Sequence, residues 1–215
     1  MSYENSKKYF ETAYRTGSDI WTHKNYRAKV LEFLSYIPKS GELLDIGTGR
    51  GIWPFIFADE GFRVTGIDYV QNIVDASNQE VYFQKKEDRL KFIQADVFDM
   101  PFEKNSFETV TDFGLAQHLR KEDFDRYRDS VVRVLKPGGH ILNVSFSKHT
   151  EHFLDFNPKD SPVNFYESEG VPYYFFTDEE VVDLYGEGIQ LINQEHVVIP
   201  EQNNEVFVIT LLQKM

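Results

Sequence analysis

The chain has 215 residues, a formal net charge of −12 and no cysteine. At about 100–200 residues per domain, this length predicts one domain, and a hydrophobic fraction of 41% is enough for a core. The negative charge argues against nucleic-acid partners and anionic membranes, because both are negatively charged themselves. Without cysteine, disulfides and thiolate metal sites are excluded.

The sequence shows no signal for export or for membrane insertion. The first residues lack the basic and then apolar run of a signal peptide, and no apolar stretch approaches the roughly 18 residues of a membrane helix. We therefore expect a cytoplasmic protein without nucleic-acid or membrane partners. The sequence leaves the oligomeric state open.

The N-terminal part differs in pattern from the rest of the chain. Residues 3–21 are aromatic and polar without clear periodicity, whereas residues 23–37 carry apolar side chains at helical spacing. Pro38 and Gly41 end that helix. We expect residues 1–40 to form a helical cap on a domain that spans residues 41–215.

From residue 42 onward, short apolar runs alternate with helical patterns. The predicted strands are 42–46, 63–68, 90–95, 107–113, 140–146, 191–199 and 206–212. The predicted helices are 51–60, 71–84, 121–135 and a last one that opens at Thr177 with a capping-box pattern to Glu180. This alternation predicts an α/β fold, a doubly wound and mainly parallel seven-stranded sheet with helices on both faces. The final hairpin implies one antiparallel strand near the C-terminus.

Residues 147–176 form a long stretch rich in proline, asparagine, serine and aromatic residues. Such a length is unusual for a plain connection and predicts a lid or binding loop. His149 and His152 lie in it, but they lack an obvious third ligand and a helical frame. The sequence therefore predicts no metal site.

A glycine-rich turn, DIGTGRG, runs from Asp45 to Gly51, between a predicted strand and a predicted helix. Glycines allow a sharp turn and the close approach of a ligand, and a helix start offers N–H groups to polar ligand atoms. On its own, such a turn fits a simple tight turn as well as a binding site.

Acidic residues follow the next three strands, at the sheet edge where ligands bind in such folds. Asp68 is placed to accept hydrogen bonds from ribose hydroxyls, or else to cap the following helix. Asp96 can accept from an exocyclic amine beside a Val97 N–H for a ring nitrogen, or it is a surface turn residue. Asp112 can face a charged group of the ligand, or it is a polar strand end.

In order and spacing, these motifs resemble the class I S-adenosylmethionine-dependent methyltransferases. The resemblance is carried by residues 43–51 (LLDIGTGRG), 66–68 (GID), 95–96 (AD), 107–110 (FETV) and 135–139 (LKPGG). It implies methyl transfer to a small molecule, S-adenosylmethionine as the cofactor and a reversed last strand. It places Asp45, Gly47 and Gly49 around the methionine part, Asp68 at the ribose and Asp96 with Val97 at the adenine. The full predicted cofactor set is Arg15, Asp45, Gly47, Thr48, Gly49, Gly51, Asp68, Tyr69, Asp96, Val97 and Asp112.

Residues 9–21 also look like the N-terminal element that covers the cofactor in small-molecule methyltransferases of the thiopurine and tellurite-resistance type. Tyr14, Trp21 and Tyr173 are predicted to line the substrate side, since aromatic faces stabilise a sulfonium cation. Aromatic residues also fill cores, so a purely structural role is the alternative. Arg15 is predicted to bind the cofactor carboxylate, with a plain surface role as its alternative.

Methyl transfer mainly requires alignment of the reactants and exclusion of water, so few residue types mark it. His118 is the predicted catalytic residue, as a general base near the fourth strand; packing against the cofactor is the alternative.

Two other functions are alternatives to methyl transfer. A nicotinamide-dependent oxidoreductase is disfavoured because Ile52 stands where the dinucleotide pattern requires glycine. A non-catalytic S-adenosylmethionine-binding protein with this fold is the second.

Overall fold

The computed structural model describes residues 3–19, 26–39, 41–200 and 204–215. Two helices precede the sheet, α1 (Glu4–Thr16) and α2 (Arg27–Leu34). Helix α1 lies where the sequence was interpreted as lacking periodicity. Its aromatic residues Tyr9, Phe10 and Tyr14, with the buried Ala13, nevertheless follow an i, i+1, i+4, i+5 spacing that fits a helix. Helix α2 is shorter than the predicted 23–37.

The remaining elements follow the predicted alternation closely. The strands are β1 (Glu42–Ile46), β2 (Arg63–Asp68), β3 (Leu90–Gln94), β4 (Phe107–Phe113), β5 (Leu135–Phe146), β6 (Phe165–Ser168), β7 (Val171–Tyr174), β8 (Ile189–Ile199) and β9 (Glu205–Lys214). The further helices are α3 (Ile52–Asp59), α4 (Gln71–Phe83), α5 (Phe124–Val134) and α6 (Asp178–Asp183). Short 3-10 turns occupy Val97–Asp99, Ala116–His118 and Lys121–Asp123. In the described part of the chain, no helix has the length and apolar character to cross a lipid bilayer.

Seven strands form one sheet in the order β3-β2-β1-β4-β5-β9-β8. Strands β1 to β5 pair in parallel, and β9 runs antiparallel to both β5 and β8. The predicted fold class, including the reversed strand near the C-terminus, is confirmed. Since β1 pairs with β2 on one side and β4 on the other, the strand order reverses there. That position opens a crevice at the carboxyl ends of the strands.

The core lies on both faces of this sheet. Leu43 belongs to one hydrophobic cluster and Leu44 to the other, because successive strand side chains point to opposite faces. The first cluster contains Phe33 of α2 and Phe57 of α3, and the second contains Tyr127 of α5. Helices therefore cover both faces, as predicted.

The connection after α5 differs from the prediction. The helix starts three residues late, because Lys121–Asp123 is a 3-10 turn, and it ends at Val134. Strand β5 begins at once with Leu135, which pairs with Phe107, whereas the next pair joins Thr109 to His140. The irregularity between these pairs accommodates residues 136–139, which the sequence left between the predicted helix and strand, within the strand.

The stretch 147–176 contains the hairpin β6–β7, which the sequence did not predict. The end of this stretch is anchored to the sheet, because the Phe176 N–H donates to the Phe146 carbonyl at 2.8 Å. Val171, Phe175 and Phe176 are fully buried. This stretch consequently contributes to the core.

The capping box at α6 offers a test of local stability. Thr177 Oγ1 accepts from the Glu180 N–H at 3.2 Å, and Glu180 Oε2 accepts from the Thr177 N–H at 3.0 Å. We expect Thr177→Ala to lower the free energy of unfolding by about 1 kcal/mol in urea titrations, because it leaves a helix N–H without its partner. Thr177→Ser should retain most of this stability, and Glu179→Gln in the same turn is the control. Equal stability of Thr177→Ala and Glu179→Gln would contradict the expectation.

Candidate functional site

A cavity of about 720 Å³ lies at the crevice where the strand order reverses, between the ends of the strands and α1. Its volume is in the usual range for small-molecule sites. The sequence-predicted residues that line it are Tyr14, Asp45, Gly47, Thr48, Gly49, Asp68, Tyr69, Asp96, Val97 and His118. The structure thus brings together most of the predicted positions from five separate segments.

Among the described residues, four predicted ones are not part of this lining: Arg15, Gly51, Asp112 and Tyr173. Gly51 opens α3, and Asp112 is completely buried. Arg15 lies exposed in the last turn of α1. Tyr173 is 8% exposed and packs edge-on against His118, with 5.1 Å between ring centroids. Trp21 lies outside the described residues.

The glycine turn has a backbone that other residues rarely adopt. Gly49 and Gly51 have φ of 52° and 74°. A Cβ at Gly49 would lie 2.7 Å from the Tyr14 hydroxyl oxygen, and a Cβ at Gly51 would lie 2.5 Å from the Phe92 ring. The turn therefore requires glycine for both conformation and space, and it fits tightly beneath α1.

The carboxylate of Asp68 holds this turn against the end of β2. Its Oδ2 accepts from the Gly49 N–H at 2.9 Å, and its Oδ1 accepts from the Val70 N–H at 2.9 Å. Helix α4 has no side-chain cap, so Asp68 does not have the alternative role of a helix cap. Burial raises the pKa of Asp68. A carboxylate offers about four lone pairs, so Asp68 keeps acceptor capacity for a ligand hydroxyl.

Asp45 is a second buried carboxylate in the cavity lining. Its Oδ1 accepts from the Thr111 hydroxyl at 2.6 Å. Burial, together with the negative charges of Asp112 and Asp68, raises the pKa of Asp45 to about 7. An unpaired buried carboxylate is costly, and a cation in the cavity would offset that cost.

Asp112 is buried outside the cavity lining and accepts three hydrogen bonds from neighbouring groups. It accepts from the N–H groups of Leu115 at 2.7 Å and Ala116 at 3.1 Å, and from the Tyr127 hydroxyl at 2.6 Å. Burial raises its pKa to about 6. These contacts fix the loop that follows β4, and that loop carries His118.

His118 lies in the 3-10 turn of this loop and lines the cavity. Its Nδ1 is 2.9 Å from the Pro172 carbonyl oxygen, which can only accept, so the neutral ring carries its proton on Nδ1. Its Nε2 is 3.4 Å from the Gln117 amide nitrogen, which can donate to it. The basic nitrogen of the neutral ring is therefore Nε2.

Helix α1 is tied down near both ends by contacts that the sequence interpretation missed. Near its start, the Tyr3 hydroxyl donates to Asp123 Oδ2 at 2.7 Å and accepts from the Arg120 N–H at 2.9 Å. Beyond its end, Arg50 donates to both oxygens of the buried Asp19, at 2.6 and 2.7 Å. Arg50 also donates to the Tyr14 carbonyl at 2.7 Å. The sequence shows a charged residue, Arg50, inside the glycine turn, but nothing local in it indicates Asp19 or Tyr14 as the partner.

Asp96 and Val97 stand at the far end of the cavity, after β3. Asp96 Oδ1 accepts from the Phe98 N–H at 2.9 Å and so caps the 3-10 turn, while its side chain stays exposed. The Ala95 N–H donates to the Asp68 carbonyl at 3.0 Å, which sets this turn beside the end of β2. The adenine and ribose positions predicted from sequence are therefore adjacent.

Comparison with known proteins places this geometry in context. Residues 44–143 match a family described as Methyltransferase domain. The demethylmenaquinone methyltransferase of Clavibacter sepedonicus is 33% identical over 112 residues, which cover 51% of this chain and 43% of that protein. The tRNA N(3)-methylcytidine methyltransferase trm140 of Schizosaccharomyces pombe is 25% identical over 179 residues, covering 76% of this chain and 56% of that protein. The chain spans about half the length of these curated relatives.

The fold itself is shared with solved methyltransferase structures. The 1,6-didemethyltoxoflavin-N1-methyltransferase of Burkholderia thailandensis superposes with a TM-score of 0.80 and 21% identity, over 97% of this chain and 87% of that one. That structure contains 1,6-didemethyltoxoflavin and S-adenosylhomocysteine. The family match and the common fold confirm the resemblance to the class I S-adenosylmethionine-dependent methyltransferases.

Asp45→Asn tests the cost of the buried carboxylate. Because the folded pKa of about 7 lies above the unfolded value of about 3.9, the folded protein binds the proton more readily between these values. The wild type therefore loses stability as the pH rises through this window. We expect its free energy of unfolding, relative to Asp45→Asn, to fall by about 1.4 kcal/mol per pH unit between about pH 5 and 6.5 in urea titrations without ligand.

The control for this experiment is Asp155→Asn, which neutralises an exposed carboxylate outside the cavity. Its stability difference from the wild type should stay constant over the same pH range. A pH-independent difference for Asp45→Asn as well would show that this carboxylate has an ordinary pKa in the folded protein.

Proposed function

We propose that this chain, whose residues 44–143 match the methyltransferase domain family, binds S-adenosylmethionine in the cavity and transfers its methyl group to a small molecule. The observation that carries the proposal is the pair of buried carboxylates, Asp45 and Asp68, in one cavity lining. S-adenosylmethionine combines a ribose diol with two cationic groups, a sulfonium and an ammonium. Such a ligand supplies donors for Asp68 and positive charge for Asp45.

The predicted cofactor residues in the cavity lining fall into three groups, one for each part of the cofactor. Asp45 with the glycine turn would hold the methionine part, Asp68 with Tyr69 the ribose, and Asp96 with Val97 the adenine. Gly51 and Asp112 would shape this surface from behind. The pairing of Arg15 with the cofactor carboxylate stays a prediction, since Arg15 lies outside the lining.

The rest of the chain would exclude water and orient the acceptor. Residues 1–40 would act as the cap, because α1 covers the glycine turn and is tied to it through Arg50. The stretch 147–176 would act as the lid, and two of its residues, Pro172 and Tyr173, contact His118. The proposed role of Trp21 on the substrate side stays a prediction. We place the reaction in the cytoplasm, in keeping with a chain that has no cysteine.

Catalysis would depend on alignment and on one proton acceptor. The bound cofactor supplies an electrophilic methyl group on its sulfonium. The Pro172 carbonyl holds the proton of His118 on Nδ1, so Nε2 can accept a proton from the acceptor as its nucleophilic atom is methylated. Asp112 positions this histidine by fixing the loop before it.

The acceptor side of the cavity favours a flat, aromatic small molecule. Phe10 packs edge-on against His118, with 5.3 Å between ring centroids, and Leu119 adds apolar surface to the same cavity lining. The solved neighbour from Burkholderia holds 1,6-didemethyltoxoflavin, and the relative from Clavibacter is named for demethylmenaquinone. The net charge of −12 argues against an RNA acceptor like that of the Schizosaccharomyces relative.

Asp68→Ala tests the cofactor site. Loss of a charged hydrogen-bond acceptor costs about 1.5–3 kcal/mol, so the dissociation constant for S-adenosylmethionine should rise by about 10- to 100-fold in isothermal titration calorimetry. Asp75→Ala, an exposed aspartate of α4, is the matched control and should bind like the wild type. Circular dichroism verifies that the variant is folded. Unchanged binding by folded Asp68→Ala, or no binding by the wild type, would refute the proposal.

His118→Asn tests catalysis separately from binding. We expect kcat to fall by about 10²–10⁴-fold while the dissociation constant for S-adenosylmethionine stays within about twofold, because the residue serves the acceptor proton. The measurement is S-adenosylhomocysteine release with a panel of quinones and fused heterocycles, and His152→Ala is the control histidine. Full activity of His118→Asn would show that His118 is not the general base. Cofactor binding without turnover on any acceptor would favour the non-catalytic alternative.

A further inference from the structure

Two histidines and an aspartate meet on the surface, away from the residues that line the cavity. His149, Asp178 and His196 each offer one ligand atom, and these atoms lie within 4.8 Å of one another. His196 Nε2 is 2.8 Å from Asp178 Oδ1, and the rings of His149 and His196 are 4.7 Å apart between centroids. All three side chains can be reached from solvent.

Each member of this cluster is held by the backbone of a different element. His149 follows β5, where its N–H donates to Ser147 Oγ at 3.2 Å. Asp178 is the first residue of α6, and its carbonyl accepts from the Gln194 side chain at 3.0 Å. His196 is in β8 and pairs with Val208 of β9. The three positions are therefore fixed relative to one another before any ion binds.

We propose that His149, Asp178 and His196 form a binding site for a divalent transition metal of the zinc type. Imidazole nitrogens with one carboxylate oxygen are typical zinc ligands, whereas magnesium and calcium prefer oxygen ligands throughout. Ligands at about 2.0–2.2 Å from zinc lie within about 4 Å of one another. A small rotation of the exposed His149 ring closes the remaining gap, and water completes the coordination.

This site differs from the pairing that the sequence suggested. His149 and His152 were interpreted as a pair without a third ligand, and the structure instead brings Asp178 and His196 to His149. A bound ion would join the start of the stretch 147–176 to the edge of the sheet. It should therefore stabilise the fold, independently of any ligand in the cavity.

The test uses the full chain without an affinity tag, titrated with zinc chloride alone at pH 7.5. Calorimetry should show one ion per chain, and the melting temperature should rise by about 5–10 °C when free zinc exceeds its dissociation constant about 100-fold. His149→Ala, His196→Ala and Asp178→Asn should each weaken zinc binding by about tenfold or more. Magnesium at the same concentrations should cause no such shift.

His152→Ala and His118→Ala are the matched controls, because they remove a nearby exposed histidine and the cavity histidine. Both should bind zinc like the wild type. Absence of zinc binding, or equal weakening in His152→Ala and His149→Ala, would overturn the site. Because zinc binding is read without S-adenosylmethionine, this result is independent of the proposed methyl transfer.

Discussion

The carboxylate of Asp68 is the contact on which the candidate site depends. It accepts from the Gly49 N–H in the turn after β1 and from the Val70 N–H after β2, so one side chain fixes the ends of two neighbouring strands. The backbone carbonyl of Asp68 accepts from the Ala95 N–H, so Asp68 also fixes the end of β3. The edge of the sheet is therefore organised without a ligand, and a nucleoside that enters it meets a preformed surface.

The same arrangement places three buried carboxylates at or behind the cavity, where burial makes a negative charge costly. Burial raises the pKa of Asp45, Asp68 and Asp112, so each carboxylate is harder to ionise than in water. Asp112 is compensated by the Tyr127 hydroxyl and two backbone N–H groups. Asp45 has the Thr111 hydroxyl, and a cationic ligand would complete its compensation. Such a balance is typical of sites where stability is given up for binding.

Local patterns made most of the fold predictable. Strands, the glycine turn and the capping box at Thr177 are encoded within a few residues, and each follows from backbone geometry. Contacts between distant segments were not predictable in this way. Nothing near Arg50 in the sequence indicates Asp19 as its partner, and the hydrogen bonds that withdraw Asp112 from the cavity depend on Tyr127 in another element. Which distant side chains pair depends on the tertiary fold, and local patterns in a single sequence do not encode it.

The proposed donor and acceptor sides of the cavity differ in the same way: the first is built from local motifs and the second from contacts between distant residues. The proposed donor side comes from short motifs between β1 and β4, and the family match over residues 44–143 covers all of them. The proposed acceptor side combines Phe10 of α1 with His118, whose Nδ1 is held by the Pro172 carbonyl, and both Phe10 and Pro172 lie outside that match. A family model can therefore identify the donor site while leaving the acceptor open. The segments that would select the acceptor, α1 and residues 147–176, are positioned by contacts with residues distant in the sequence, such as Tyr3 with Asp123 and Pro172 with His118.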